Sequence, residues 1–313
     1  MNFKRPMTRR QSIATLLRFS GSLATAGAVS WPAARSVKAG TNKNGFIVTG
    51  TGKTHGFSVK ELTRNVFEAA GGIEKFVSKG DVVAIKPNIS WARRPELAAA
   101  THPQVLEAVV EICMEAGAKR VRIADNTIHD ARRCFALTGV GMVAKKTGAD
   151  LIYPRSSLMR KMKIGGSRLD VWPVFVPLIE ADRLINLPVA KHHSLSMLTL
   201  GMKNWIGAVG GSRWSLHQDI HQTIVDLAQF FNPTVTLIDA IRIMTRNGPS
   251  GGSRADVSVK NTLILSDDQV AADGMAALLF NKKPHQIGYI RLAQKWALGT
   301  YDFQNLDQKK VVL

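Results

Sequence analysis

The chain has 313 residues, 45% of them hydrophobic and 21% charged, and carries a formal net charge of +19. This balance excludes a disordered chain and a membrane bundle, and the length suffices for one large domain or two small ones. The positive excess favours anionic partners, whereas only three Tyr and no alternation of basic with aromatic residues count against a nucleic-acid surface.

Residues 1–39 hold seven Lys and Arg and no acid, which leaves +12 for the remainder. They are expected to be a targeting segment. Thr8-Arg9-Arg10-Gln11 opens a basic region, a weakly apolar run from Ile13 to Trp31 follows, and Val37-Lys38-Ala39 forms a small-residue cleavage pattern. In outline this is a twin-arginine export signal, although Ser12 stands where the usual pattern has an apolar residue two positions later. The expectation is a folded periplasmic protein delivered by the twin-arginine machinery, with no membrane span after cleavage, because Arg18 interrupts an already short apolar run. Residues 40–313 then form one α/β domain.

From Gly45 the pattern alternates strand and helix. Phe46–Val48 is a strand, and Ser58 caps a helix with Val59, Leu62, Val66, Phe67 and Ala70 on one face, closed by Gly71-Gly72. Asp81–Ile85 is an apolar strand leading into Lys86-Pro87-Asn88. Thr101–Ala116 is a helix with Pro103 in its first turn and Gly117 as its stop, and Val121–Ala124 is a strand ending on Asp125-Asn126. This βαβ unit makes its strands parallel, so Lys86, Asn88, Asp125 and Asn126 fall on one sheet edge. A helix over Arg132–Thr147, a strand over Leu151–Tyr153, a basic turn with Arg160, Lys161 and Lys163, and a strand over Val171–Val176 come next. That section reads as an excursion from the main sheet, a small second lobe.

The stretch Arg183–His221 holds four of the eight histidines. The apolar run Leu184–Leu187, stopped by Pro188, suits a buried strand, and Lys191, His192 and His193 then form a turn. Leu195, Leu198 and Met202 recur at helical spacing, with Lys203-Asn204 at the far end before a loop containing Gly207, Gly210 and Gly211. Ser215 is expected to cap a helix with Ile220, Ile224, Leu227 and Phe231 as its buried stripe. Val235–Asp239 is a strand running into a glycine-rich loop, Met244–Gly252; a strand at Thr262–Leu265 and helices at about 269–280 and 288–296 complete the chain.

Several groups in this frame are candidates for chemistry. Lys203 on an apolar segment is a covalent anchor, a Schiff-base nucleophile, or a lysine that snorkels or binds phosphate. His193 is a metal ligand or general base, or an imidazole bonded to backbone. His217 and His221, four apart, would share one helical face and offer two ligands to a metal with His193. Arg246, Asn247 and the glycines through Gly251 can turn a guanidinium and backbone N–H groups toward an anion. Asp125 and Asp239 end parallel strands, where each binds a metal, orients His193, accepts a ribose hydroxyl or caps a helix. Lys86, Asn88, Lys191 and Asn204 complete a cofactor- or anion-holding wall. Cys113 and Cys134 are too few for an iron–sulfur cluster, and no Walker loop, dinucleotide fingerprint or Gly-x-Ser-x-Gly elbow is present.

The blocks VAIKPN, HPQVLEAVVEICMEAGAKRVRIAD, LINLPVAKHHSLSMLTLGMKNWIG, HQDIHQTIVDLAQFF, MTRNGPSGG and IGYIRLAQKWALGT resemble the family catalogued as domain of unknown function 362, over roughly residues 80–300. Many relatives carry ferredoxin-type cysteine clusters that this chain lacks. HHSLSMLTLGMK is also similar to a segment of nickel-pincer lactate racemase, in which a His and a covalently modified Lys stand ten residues apart, as do His193 and Lys203. That resemblance implies a pincer-type nucleotide on Lys203; a divalent metal is the other cofactor class considered. Gly201-Met202-Lys203 replaces the racemase's Gly-Arg-Lys, and the acidic residue of its earlier turn is missing. The expected fold is α/β, with a mostly parallel sheet, flanking helices and a small second lobe. The expected function is a cofactor- or metal-dependent periplasmic enzyme, of redox or racemase-like isomerase type, acting on a small anionic substrate. A non-catalytic binding or carrier protein for an anion or metal is the alternative.

Overall fold

The computed structural model of the protein describes residues 45–53 and 56–313, so the expected export segment lies outside the described residues. The first half builds β1 (Phe46–Thr51), α1 (Val59–Ala69), β2 (Val82–Pro87), α2 (Pro103–Glu115), β3 (Arg120–Ala124), α3 (Ala131–Leu137), α4 (Val140–Thr147) and β4 (Asp150–Ile152). Ser58 caps α1 by accepting the Glu61 N–H at 3.2 Å, as its hydroxyl at the N-cap predicts. The single helix expected over 132–147 is two, because Gly139 adopts φ +80° and turns the chain between α3 and α4.

The middle section is β5 (Met159–Lys163), β6 (Val171–Phe175) and the short α5 (Val176–Ile179). The expected basic turn is therefore strand β5, paired antiparallel with β6 from Met159↔Phe175 to Lys163↔Val171. This two-stranded sheet stands apart from the main one.

The focal stretch differs from expectation in its second half. β7 (Arg183–Leu187) ends at Pro188, but Lys191-His192-His193 is no turn: it lies in β8 (Val189–His193), which pairs antiparallel with β9 (Met197–Thr199). Leu195 sits at the hairpin tip, 59% exposed, and Met197 adopts φ +64°, so the apparent helical spacing of Leu195, Leu198 and Met202 is fortuitous. Only Gly201–Asn204 forms a helical turn, α6, continued by a 3₁₀ segment over Trp205–Ala208. Two helices follow, α7 (Arg213–His217) and α8 (Ile220–Phe231). Ser212 caps α7 and Asp219 caps α8; Ser215 caps neither. The chain closes with β10 (Val235–Met244), β11 (Val257–Ser266), α9 (Gln269–Leu278), α10 (Gly288–Lys295) and β12 (Asp307–Val312), the last unanticipated.

The main sheet runs β12-β1-β11-β10-β7-β2-β3-β4, and β8 with β9 branches from β10. Strands β10, β7, β2, β3 and β4 are mutually parallel. Both faces are covered, which is why these strands read as continuous apolar runs: alternate residues point to opposite sides. Ile47, Ala84, Leu184, Ile238 and Ile264 meet Leu227, Val270 and Ile290 on one face. Val48, Ile85, Ile185, Leu237 and Leu265 meet Leu62, Val66, Val105 and Val109 on the other. The fold is mixed α/β, a mostly parallel sheet between helices plus the small β5–β6 sheet. Among the described residues no helix is long and apolar enough to cross a membrane.

Candidate functional site

Strand ends set the site. The parallel pairing of β2 with β3 brings Lys86 to Asp125, and the two form an ion pair of 2.9 Å with both side chains fully buried. Asp125 Oδ2 also accepts the Ile89 N–H at 2.6 Å. Lys86 Nζ donates further to Asn204 Oδ1 at 2.7 Å and to the Pro87 carbonyl at 2.9 Å. Burial pushes the Lys86 pKa down, and Asp125 opposes that push. Gly207 is required beside this pair, since a Cβ there would collide with the Asp125 carboxylate and lie 2.8 Å from Lys86 Nζ.

Asn204 is the hub of the wall. Its Oδ1 also accepts from Asn88 Nδ2 at 3.2 Å, and its Nδ2 donates to the Lys86 carbonyl at 3.1 Å and to Asn186 Oδ1 at 2.8 Å. Both protons and both acceptor positions are thus occupied, and Asn204 holds its neighbours in place. Lys191, in the middle of β8, donates to Asn88 Oδ1 at 3.1 Å and to the Ala99 carbonyl at 2.6 Å. Burial, then the Lys203 charge, holds its pKa well below the usual range.

These residues back a cavity of about 330 Å³ lined by Asn88, Ser90, Trp91, Ile128, Lys191, His193, Thr199, Lys203, Asn204, Ile206, Gly207, Arg213, His217 and Pro249. Lys203 is only 7% exposed. Burial first, then the Arg213 and Lys86 charges, bring its pKa down to about 7. Arg213 Nη2 donates to the Asn126 carbonyl and, at 3.1 Å, to that of Thr127, which anchors the guanidinium at the end of β3.

The two cavity histidines stack with ring centroids 5.9 Å apart. His193 Nδ1 accepts the Leu195 N–H at 3.1 Å and the Ser196 N–H at 3.3 Å, which supports the hairpin turn and places the ring proton on Nε2. His217 Nδ1 lies 2.6 Å from the Arg213 carbonyl, an acceptor only, so in the neutral ring Nδ1 carries the proton and Nε2 the lone pair. Burial is the main cause that lowers the pKa of both, that of His193 to about 3 with help from the Lys203 charge. Near neutrality one imidazole therefore offers a donor and the other an acceptor.

Other expected members lie elsewhere. His221 is in α8, a different helix from His217, and stacks on Tyr289 at 6.4 Å, so the shared-face argument for a metal pair fails. Among the described residues no group of three His, Cys, Asp or Glu converges as a metal site. Asp239 accepts the His102 N–H at 2.7 Å and the Ile241 N–H at 3.0 Å, and so braces the start of α2. Arg246 does not reach the cavity: it is exposed and contacts Asp256 at 3.4 Å. Asn247 donates to both oxygens of that same carboxylate, and Gly251 packs by Met244, so the expected anion loop is spent on Asp256. From this loop Pro249 alone lines the cavity. The lysine anchor implied by the racemase resemblance and His193 share one cavity, whereas the Arg246 wall is absent. Arg213, Thr199, Ser90 and Trp91 were not anticipated; Arg213 carried a signal, as a lone cation two residues past the glycine loop.

A family model described as Domain of unknown function (DUF362) matches residues 83–278. A thylakoid-associated protein of Synechocystis sp. is 27% identical over 244 residues, 75% of this chain and 74% of that protein. The lactate racemase apoprotein from Thermoanaerobacterium thermosaccharolyticum is similar in structure with a TM-score of 0.46 at 14% identity. The match covers 75% of this chain and 56% of the racemase chain.

Proposed function

The chain belongs to the DUF362 family, and for this member we propose an enzyme that binds a small anionic substrate in the cavity and moves protons on it. One observation carries the reading: two neutral imidazoles of opposite tautomer face a cavity that also holds Lys203 and Arg213. Arg213 supplies a fixed positive charge for a carboxylate or phosphate. His217 Nε2 serves as general base, and His193 Nε2–H donates to the oxygen on which charge develops. Trp91, Ile128, Ile206 and Pro249 give the cavity apolar walls, beside which each polar contact is stronger than in bulk water. This corresponds to the isomerase-type chemistry expected from the sequence.

The test is a panel of short 2-hydroxy and 2-oxo carboxylates in D₂O, with proton NMR following exchange at C2 of the hydroxy acids and at C3 of the oxo acids, and thermal shift following binding. Enzyme-dependent exchange that His217→Gln reduces by about 100-fold is expected. Binding without exchange would favour the carrier alternative, and neither binding nor exchange would sink the anion reading. Export is a further part of the proposal, supported by Arg9-Arg10 in an acid-free segment. Full-length protein should reach the periplasm, and Arg9→Lys with Arg10→Lys should leave it in the cytoplasm.

A further inference from the structure

Three lysines are buried around the cavity, and their surroundings differ in kind. Lys86 is held by Asp125, Asn204 and the Pro87 carbonyl, and Lys191 by Asn88 and the Ala99 carbonyl. Lys203, buried but slightly more open at 7% exposure, has a side-chain amine with no hydrogen bond or ion pair among the described residues, and that side chain lines the cavity. An amine that faces a cavity without a protein acceptor has given up much of its water shell with no protein group in its place. Such a lysine beside another cation exposes a lone pair and is activated as a nucleophile toward carbonyl carbon.

Two further groups point into the same space. Arg213 commits Nη2 to the Asn126 and Thr127 carbonyls, while Nε and Nη1 have no acceptor among the described residues, so each can still give a charge-assisted hydrogen bond to a carboxylate. Thr199, 4% exposed and part of the lining, has a buried hydroxyl with no hydrogen-bond partner. From these placements we propose that Lys203 forms a Schiff base with a small 2-oxo carboxylate, whose carboxylate sits on Arg213 and whose carbonyl oxygen is held by His193 Nε2–H and Thr199. The proposal rests on the reading of the cavity as an anion site and narrows its substrate class.

The step balances without an external oxidant or reductant. The Nζ lone pair forms a C–N bond as the carbonyl π pair moves onto oxygen. His217 Nε2 carries one proton from that nitrogen to the oxygen, giving a carbinolamine. The hydroxyl takes one more proton from solvent and leaves as water, the C–O bond breaks, and the nitrogen pair closes a protonated imine. That imine withdraws electrons from the neighbouring carbon, whose proton His217 is then placed to remove.

The test traps the imine. Full-chain protein is incubated with pyruvate, reduced with sodium borohydride and analysed by peptide mass mapping. One N-(1-carboxyethyl) group on Lys203 is expected, absent from Lys203→Arg and from samples without pyruvate. The trapping rate should rise with pH through about 7, where the amine loses its proton. Arg213→Gln should slow both reactions near pH 7, since loss of its charge raises the Lys203 pKa, but should slow trapping of pyruvate about tenfold more than trapping of acetone, which has no carboxylate. Circular dichroism of each variant confirms folding. No adduct, or adducts spread over surface lysines, overturns the proposal. Equal effects of Arg213→Gln on pyruvate and acetone overturn its carboxylate part. Carboxylate binding that persists without trapping overturns the Schiff base alone, whereas loss of both also overturns the anion reading.

Discussion

A lysine kept without an acceptor in the interior is a cost to folding, and Lys203 lets that cost be measured. Its folded-state pKa of about 7 lies below the ordinary 10.5, so between those values the unfolded chain holds one proton more than the folded chain. Stability contributed at this position therefore rises with pH across that window, and the full penalty, up to roughly 4–5 kcal/mol, applies below pH 7. Lys203→Met should raise the denaturation midpoint most at pH 6, with the gain shrinking toward pH 10; a variant no more stable at pH 6 would contradict this account. The opposite holds at Asp125. Asp125→Asn leaves Lys86 buried without its carboxylate, and a loss of about 3–5 kcal/mol is expected in urea unfolding. One residue is retained at the expense of stability, the other for it.

At the scale of elements, the site is a junction of short pieces. The hairpin β8–β9 delivers His193 and Lys191, α6 delivers Lys203 and Asn204, and α7 delivers Arg213 and His217. Asp273, in α9, clamps the start of α6 by accepting the Gly201 and Met202 N–H groups at 2.6 and 3.0 Å. Burial raises its pKa to about 7. On the far side of α6, the 3₁₀ segment presents Gly207 to the Lys86–Asp125 pair with no room for a methyl group. Gly207→Ala should cost about 1–3 kcal/mol and loosen both elements, seen as a lower thermal midpoint and weaker carboxylate binding. If binding survived undiminished, the coupling of this segment to the site would be wrong.

For the whole molecule, the sheet's outer edge is guarded by the last strand. β12 pairs parallel with β1 from Phe46↔Asp307 to Thr51↔Val312 and hides the hydrogen-bonding edge of an otherwise buried apolar strand. Its own side chains, including Lys309 and Lys310, face largely outward, a common way to blunt an edge. Removal of residues 307–313 should expose β1, lower the urea midpoint and bring concentration-dependent light scattering. Unchanged solubility would show that the edge needs no cover.

Much of this architecture is written locally. Apolar runs at 82–85, 121–124 and 184–187, Ser58 and Gly117 at helix ends, and Pro103 in a first turn need only nearest-neighbour physics, and from them follow the parallel sheet and the edge shared by Lys86 and Asp125. Membership in the family was likewise legible, because it rests on ordered blocks of residues. Tertiary structure alone decided the rest. Spacing of three and four residues cannot distinguish a helix from a hairpin when exposure is unknown, so β8–β9 and the break between His217 and His221 were hidden. Nor does sequence tell which cation finds an acceptor: Arg246 is taken up by Asp256, Lys86 by Asp125 and Lys191 by Asn88. What distinguishes Lys203 is the absence of such a partner among the described residues, a property of three-dimensional surroundings that no stretch of sequence contains.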